Sequence, residues 1–228
     1  MTEEQQHQAT PPAGGDPSIV MQGESFDAAL LAVLSESQQL GFLGPGPVAA
    51  HVTHASGFVS VVRTADEVLD LGSGGGLPGL VLARAFPDTR WVLLDAMERR
   101  CRFLERAVQQ LGLDGRVEVV CGRAEVLARR DDLRGRFPLV VTRSFGAPAV
   151  TAECAVGFLR PSGGRLVVSE PPDSAADRWP TEGLARLSLR AVERVAGPGW
   201  TVQVLELHGE LEERYPRRTG VPAKRPLF

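Results

Sequence analysis

The sequence predicts an α/β protein: a Rossmann-like parallel sheet closed by an antiparallel hairpin and preceded by a short helical segment. Three observations predict it. From Glu67 onward, short apolar runs of strand length alternate with amphipathic stretches of helix length. This is the pattern of right-handed βαβ units in a parallel sheet covered on both faces. The first run leads into a glycine-rich loop, Gly72-Ser73-Gly74-Gly75-Gly76. The last two runs, Ser188 to Val195 and Trp200 to Leu207, are joined only by Ala196-Gly197-Pro198-Gly199. A turn that tight requires them to pair antiparallel.

The elements follow in order. Residues 1–23 are rich in Gln, Pro and Gly and are expected to be disordered. Residues 24–62 form a helical segment, and residues 63–228 the main domain with a basic tail. In the first helix, Ser25 to Leu40, Phe26, Leu30, Leu31, Leu34 and Leu40 recur at near-helical spacing, and Ser25 is placed to cap it. Gly41 to Gly46 breaks the pattern. A second helix is expected from Pro47, a residue suited to a first helical position, to about Val59. Then come strand Val68 to Leu71, helix Pro78 to Phe86, strand Trp91 to Asp95 and helix Met97 to Leu111, with Cys101, Leu104, Val108 and Leu111 on one face. Strands Val117 to Val120 and Phe137 to Thr142 lead to helix Pro148 to Leu159, strand Arg165 to Ser169, a helix near Thr181 to Leu187, and the hairpin.

Composition narrows the class. Of 228 residues, 43% are hydrophobic and 23% charged, as in an ordinary globular domain. No apolar run reaches the roughly 18 residues of a membrane span. The polar stretch Met1 to Asp16 carries no Lys or Arg, unlike a secretory signal, so a cytoplasmic protein is expected. Three widely spaced cysteines, Cys101, Cys121 and Cys154, suit neither a disulfide framework nor a zinc site. The net charge is −3, yet every Lys and Arg lies at or after Arg63. Arg214, Arg217, Arg218, Lys224 and Arg225 follow Glu213 with no further acid. Such a tail can contact RNA phosphates or simply be solvated. The same two readings apply to Arg99, Arg102 and Arg106 on one helix face.

Asp70-Leu71-Gly72-Ser73-Gly74-Gly75-Gly76 fits D-x-G-x-G-x-G. Gly72, Gly74 and Gly76 allow the backbone to turn sharply and approach a ligand, at the carboxyl ends of the strands. Gly74, Gly76 and Gly79 also fit the G-x-G-x-x-G of dinucleotide folds. The acidic Asp70 favours a cationic ligand over a pyrophosphate, and the closing hairpin is foreign to dinucleotide folds. S-adenosylmethionine (AdoMet) is therefore the expected cofactor, in a class I AdoMet-dependent methyltransferase. Asp95, 23 residues after Gly72, can accept from ribose hydroxyls or cap the helix that follows. His51 and His54 lie three apart on a helix and lack further ligands, so no metal is expected.

Several stretches together resemble the bacterial 16S rRNA guanine-N7 methyltransferases, the glucose-inhibited division protein B or methyltransferase G family. They are Val68 to Gly79, ending Gly-Leu-Pro-Gly; Leu93-Leu94-Asp95 with Arg99 to Leu104; Arg123-Ala124-Glu125; Thr142-Arg143-Ser144-Phe145; and Tyr215 to Leu227. The resemblance implies that Gly72 and Leu77 line the AdoMet loop and that Ala124 and Glu125 meet the adenine. It places Arg143 at the cofactor, at the mouth of the active site, to engage substrate. It also implies a monomer acting on 16S rRNA or the small ribosomal subunit. No catalytic base is expected, because guanine N7 has a free lone pair at neutral pH. The chain departs from the family's Asn-Leu-Thr and His-x-x-Asp-Ser; of the latter, His51-Val52-Thr53-His54-Ala55 keeps only the first His. Ser169-Glu170 replaces the family's Lys-Gly. Methylation of a small molecule, or non-catalytic binding of AdoMet or RNA, are the alternatives.

Overall fold

The computed structural model describes residues 27–59, 61–62, 65–171 and 178–228. The expected disordered segment 1–23, Ser25 and Phe26 lie outside them. The first helix, α1 (Ala28–Gln39), is capped by Asp27, whose carboxylate accepts from the amides of Ala29 and Leu30. It is followed by α2 (Val48–Ser56), β1 (Glu67–Leu71), α3 (Gly79–Ala85), β2 (Arg90–Asp95), α4 (Glu98–Gln110) and β3 (Val117–Cys121). Next are α5 (Ala124–Leu127), β4 (Leu139–Thr142), α6 (Pro148–Val156), β5 (Arg165–Glu170), α7 (Thr181–Ala185), β6 (Leu189–Gly197), β7 (Trp200–Leu207) and α8 (Val221–Lys224).

Most departures from the sequence reading lie at element ends. Pro47 is the cap of α2 and not its first helical residue; its extended ψ of 136° leaves the helix to start at Val48. That helix stops at Ser56, after which turns lead toward β1. Phe137 makes only an isolated bridge to Leu159, so β4 begins at Leu139. The hairpin is tighter than expected: Gly197 pairs with Trp200, and only Pro198-Gly199 turns the chain. The short helices α5 and α8 were not expected.

The seven strands run in the order β3-β2-β1-β4-β5-β7-β6. β1 to β5 are parallel, while β7 is antiparallel to both β5 and β6. Alternate strand positions serve opposite faces. Val68, Leu93 and Val141 join the core under α1 to α4, with Leu34, Val52, Phe58 and Phe103. Leu69, Leu94 and Val140 join the core on the other face, with Phe137, Phe158, Leu184 and Tyr215. The N-terminal helices therefore share a core with the sheet. Ion pairs from Asp27 to Arg84 and from Glu36 to Arg106 tie α1 to α3 and α4. Among the described residues, no helix is long and apolar enough to cross a membrane.

Candidate active site

Sheet order reverses between β1 and β4, and the crevice opens where their carboxyl ends part. Thr142 Oγ1 donates to the Leu71 carbonyl at 2.8 Å, holding the two ends together. The glycine loop leaves β1 here. Gly72, Gly74 and Gly76 have φ of +73°, +55° and +97°, the left-handed region that glycine enters without strain. A Cβ on Gly72 would lie 2.6 Å from the Phe145 ring. One on Gly74 would meet nothing closer than the Gly72 carbonyl at 3.7 Å, so this position faces open space. Gly79 serves packing: a Cβ there would lie 2.5 Å from Asp70 Oδ2 and from Leu93. Close approach of α3 to β1 requires that glycine.

The two acids predicted for the cofactor hold this loop. Asp70 is fully buried, and its Oδ2 accepts from the Gly79 amide at 3.0 Å. Its Oδ1 is buried with no hydrogen-bond partner among the described residues. Burial pushes the carboxyl up to about 7, against the Gly79 hydrogen bond. Asp95 Oδ2 accepts from the Gly74 amide at 2.9 Å, and Oδ1 from the Met97 amide at 2.8 Å. Asp95 thus fixes the loop against β2 and supports the start of α4, whichever ligand it meets.

Three clefts meet at Ser144, two of them reaching the glycine loop. One, of about 340 Å³, lies between β2 and β3 and is lined by Asp95, Met97, Ala124, Glu125 and Ala223. A second, of about 180 Å³, runs under the glycine loop, with Leu77, Phe42, Leu43, His51, Arg100 and Arg143. The third, of about 270 Å³, sits over β4 and β5 and is lined by His54, Arg143, Thr151, Glu170, Arg178 and Trp179. Ser144 lines all three. Its φ of +56° is left-handed, a strained conformation for a residue with a Cβ. The site residues read from the sequence from Asp70 to Arg143 are therefore brought together.

Arg143 lies between the second and third clefts. Its guanidinium donates to His51 Nδ1 at 3.1 Å and to the His51 carbonyl at 3.4 Å. His51 Nδ1 is then an acceptor, which leaves Nε2–H to donate to the Gly44 carbonyl at 3.1 Å. Burial lowers the pKa of Arg143, and the neighbouring Asp70 partly restores it. Burial also lowers the pKa of His54, with Arg143 and His51 adding to the effect. Glu170, the departure from the family's Lys-Gly, is buried. It accepts from Trp179 Nε1 at 3.0 Å and pairs with Arg178 at 3.1 Å. Its negative charge is thus countered within the cleft.

Sequence reasoning missed the contribution of the N-terminal helices. Ser37 Oγ donates to the Gly75 carbonyl at 2.9 Å, and Phe42, Leu43 and His51 wall the loop cleft. The family-type residue His51 was the available signal. In the basic tail, Arg217 is engaged within the fold: its backbone amide and Nε each donate to Glu153 Oε1 at 2.8 Å, and its Nη2 to Oε2 at 2.6 Å. Glu153 is 0% exposed, and a carboxylate that deep requires its cation. Arg214 pairs with Glu212, whereas Arg218, Lys224 and Arg225 are exposed. On α4, Arg102 pairs with Glu98 and Arg106 with Glu36.

A 3-2-1-4-5-7-6 sheet whose first strand ends in this glycine loop, with an acid closing the second, defines a class I AdoMet-dependent methyltransferase. Solved structures agree on the fold. An O-methyltransferase from Bacillus cereus in complex with SAH superposes with a TM-score of 0.59 at 18% identity, over 84% of this chain and 94% of that one. The O-methyltransferase TomG from Streptomyces achromogenes, in complex with SAM, gives 0.58 at 20% identity, over 84% and 94%. The model of the rRNA small subunit methyltransferase G family matches residues 48–170. The ribosomal RNA small subunit methyltransferase G of Deinococcus deserti is 37% identical over 169 residues, 71% of this chain and 68% of the relative. That of Rubrobacter xylanophilus is 39% identical over 176 residues, 73% and 67% respectively. This chain belongs to the rRNA small subunit methyltransferase G family.

Proposed function

We propose that this chain uses AdoMet to methylate N7 of a guanine in 16S rRNA. One observation carries the reading. Ser144 joins a loop cleft and an acid-lined cleft suited to the cofactor to a third cleft suited to the acceptor base. The residues fit AdoMet by their chemistry. Asp70 Oδ1 is an unpartnered buried acceptor beside the loop, and Gly74 opens onto free space. Asp70, Gly72, Gly74, Gly76 and Leu77 would hold the methionine end. Asp95 would hold the ribose, and Ala124 and Glu125 the adenine. Bound AdoMet supplies an electrophilic methyl group on a sulfonium.

The protein's task at the acceptor is orientation. Guanine N7 has no proton to remove, so the lack of a positioned general base costs nothing. Holding base and methyl donor in line can supply several orders of magnitude of rate. Arg143 reaches both sides of the junction, and its planar fork suits a base or a phosphate. The methylated base gains positive charge, and the Arg178 partner of Glu170 keeps that carboxylate from adding net negative charge to the cleft. A stacked target base must be unstacked to enter. Arg214, Arg218, Lys224 and Arg225 then meet phosphates of 16S rRNA or the small subunit. The working unit in this reading is a cytoplasmic monomer. The test is mass-spectrometric nucleoside analysis of 16S rRNA from cells with and without the protein. Loss of one 7-methylguanosine per 16S rRNA is expected. An unchanged nucleoside profile would overturn the reading and point to a small-molecule acceptor.

A further inference from the structure

The C-terminal segment is not a loose tail. Arg129 donates to the carbonyls of Arg214 and Pro216 at 2.9 and 2.5 Å, and Arg134 to that of Tyr215 at 2.9 Å. Tyr215 is buried in the sheet's second core. Beyond it, Arg217 clamps the chain twice: onto Glu153 of α6, and across to the Arg225 carbonyl at 2.8 Å. That clamp closes the loop 217–225. Within the loop, the Gly220 amide donates to Glu125 Oε1 at 2.9 Å, and Ala223 lines the same cleft as Asp95, Ala124 and Glu125.

We infer that residues 217–225 form a fixed wall of the adenosyl cleft, and that Arg217 and Glu153 are positioning residues for AdoMet binding. This rests on reading that cleft as the adenosyl site. The physical case is one of preorganisation. Nine residues of coil would lose conformational entropy each time a ligand ordered them. Here the pair of Arg217 with the buried Glu153 has ordered them beforehand. Glu125 has also committed one carboxylate oxygen to the Gly220 amide, so it holds the wall as well as facing the cleft. Arg217 is not one of the residues that line the cleft; it acts through Gly220 and Ala223.

The test uses full-length protein, with calorimetric AdoMet affinity, the AdoMet KM and kcat on small-subunit particles, and the melting temperature. Arg217→Ala should weaken AdoMet by about tenfold or more and raise its KM alike, with kcat at saturating AdoMet largely kept. Arg217→Lys should recover part of the affinity. Because Arg217→Ala strands a buried carboxylate and threatens folding, Ala223→Trp is the second variant. Ala223 is exposed, so its replacement leaves the fold intact while filling the cleft. It too should lose AdoMet affinity, with an unchanged melting temperature. Arg160→Ala, at an exposed residue outside the wall and the clefts, should bind AdoMet as wild type does. Unchanged AdoMet affinity in Ala223→Trp would overturn the inference, as would a folded Arg217→Ala that binds normally. Asp95→Ala separates the two readings: if it too binds AdoMet normally, the assignment of the cleft has failed and not merely that of its wall.

Discussion

Arg143 and His51 are 92 residues apart in sequence, yet the Arg143 guanidinium grips both the ring and the carbonyl of His51. The end of β4 is thereby fastened to α2, and the N-terminal helices become part of the active site. Removing Arg143 therefore disturbs orientation at the junction of the clefts more than it disturbs the core.

Arg143→Ala is expected to lower methyl transfer by roughly 100-fold, the scale for a reacting group misplaced by about an ångström. The melting temperature should fall by only a few degrees, since roughly 1 kcal/mol of hydrogen bonding is lost. Transfer to small-subunit particles and thermal unfolding are measured on the same preparation. Full activity, or inactivity through global unfolding, would refute the role.

Two glycines of the loop and the helix after it, Gly74 and Gly79, should fail in different ways. Gly79→Ala pushes a methyl into Asp70 and Leu93, and should cost about 1–3 kcal/mol of stability, the range for overpacking. Gly74→Val meets no such wall, but places a branched side chain at positive φ in the cofactor loop. It should abolish AdoMet binding. Calorimetry showing unchanged AdoMet affinity in Gly74→Val would refute the loop assignment.

Asp70 should make stability depend on pH. Its folded pKa, about 7, lies above its unfolded value near 4. The folded state thus holds the proton more tightly. The corresponding stability is fully present below about pH 4 and is lost as pH rises through about 7. Asp70→Asn should flatten the melting temperature of the ligand-free protein across that window. A cationic ligand near Asp70 favours its ionised form, so AdoMet binding near pH 6 should release protons. Equal binding enthalpies in buffers of different ionisation heat would contradict this.

The exposed cations Arg218, Lys224 and Arg225 should contribute to RNA affinity through its salt dependence. Replacing all three by Ala should make the slope of log K against log salt shallower by about 2, at roughly 0.7 per phosphate on a single strand. An unaltered slope would place the phosphate contacts elsewhere.

What could be read from the sequence was local. The glycine loop, Asp95 after β2 and the antiparallel hairpin are each written within a few neighbouring residues. What was missed depends on contacts between distant residues. Arg217 reads as a free tail cation until Glu153, 64 residues earlier, is folded beneath it. Asp27 caps α1 with one carboxylate oxygen while Arg84 of α3 meets the other, a contact that spacing along the chain does not announce. Glu170 reads as an unbalanced charge until Arg178 returns over β5. Ser144 carries no glycine to announce its left-handed turn, and Thr142 and Phe145 around it look like ordinary strand-end residues.

The strand order has a dynamic consequence. β6 precedes β7 in the chain but reaches the sheet only through it, since β7 alone pairs with β5. The hairpin must therefore come away as a cooperative unit whenever the β5–β7 pairing opens. Amide protons that bind β6 to β7 can exchange with solvent by that route or by local fraying of the edge. Their protection should not exceed that of the β5–β7 ladder, and β1 and β4 at the centre of the sheet should be the last to exchange.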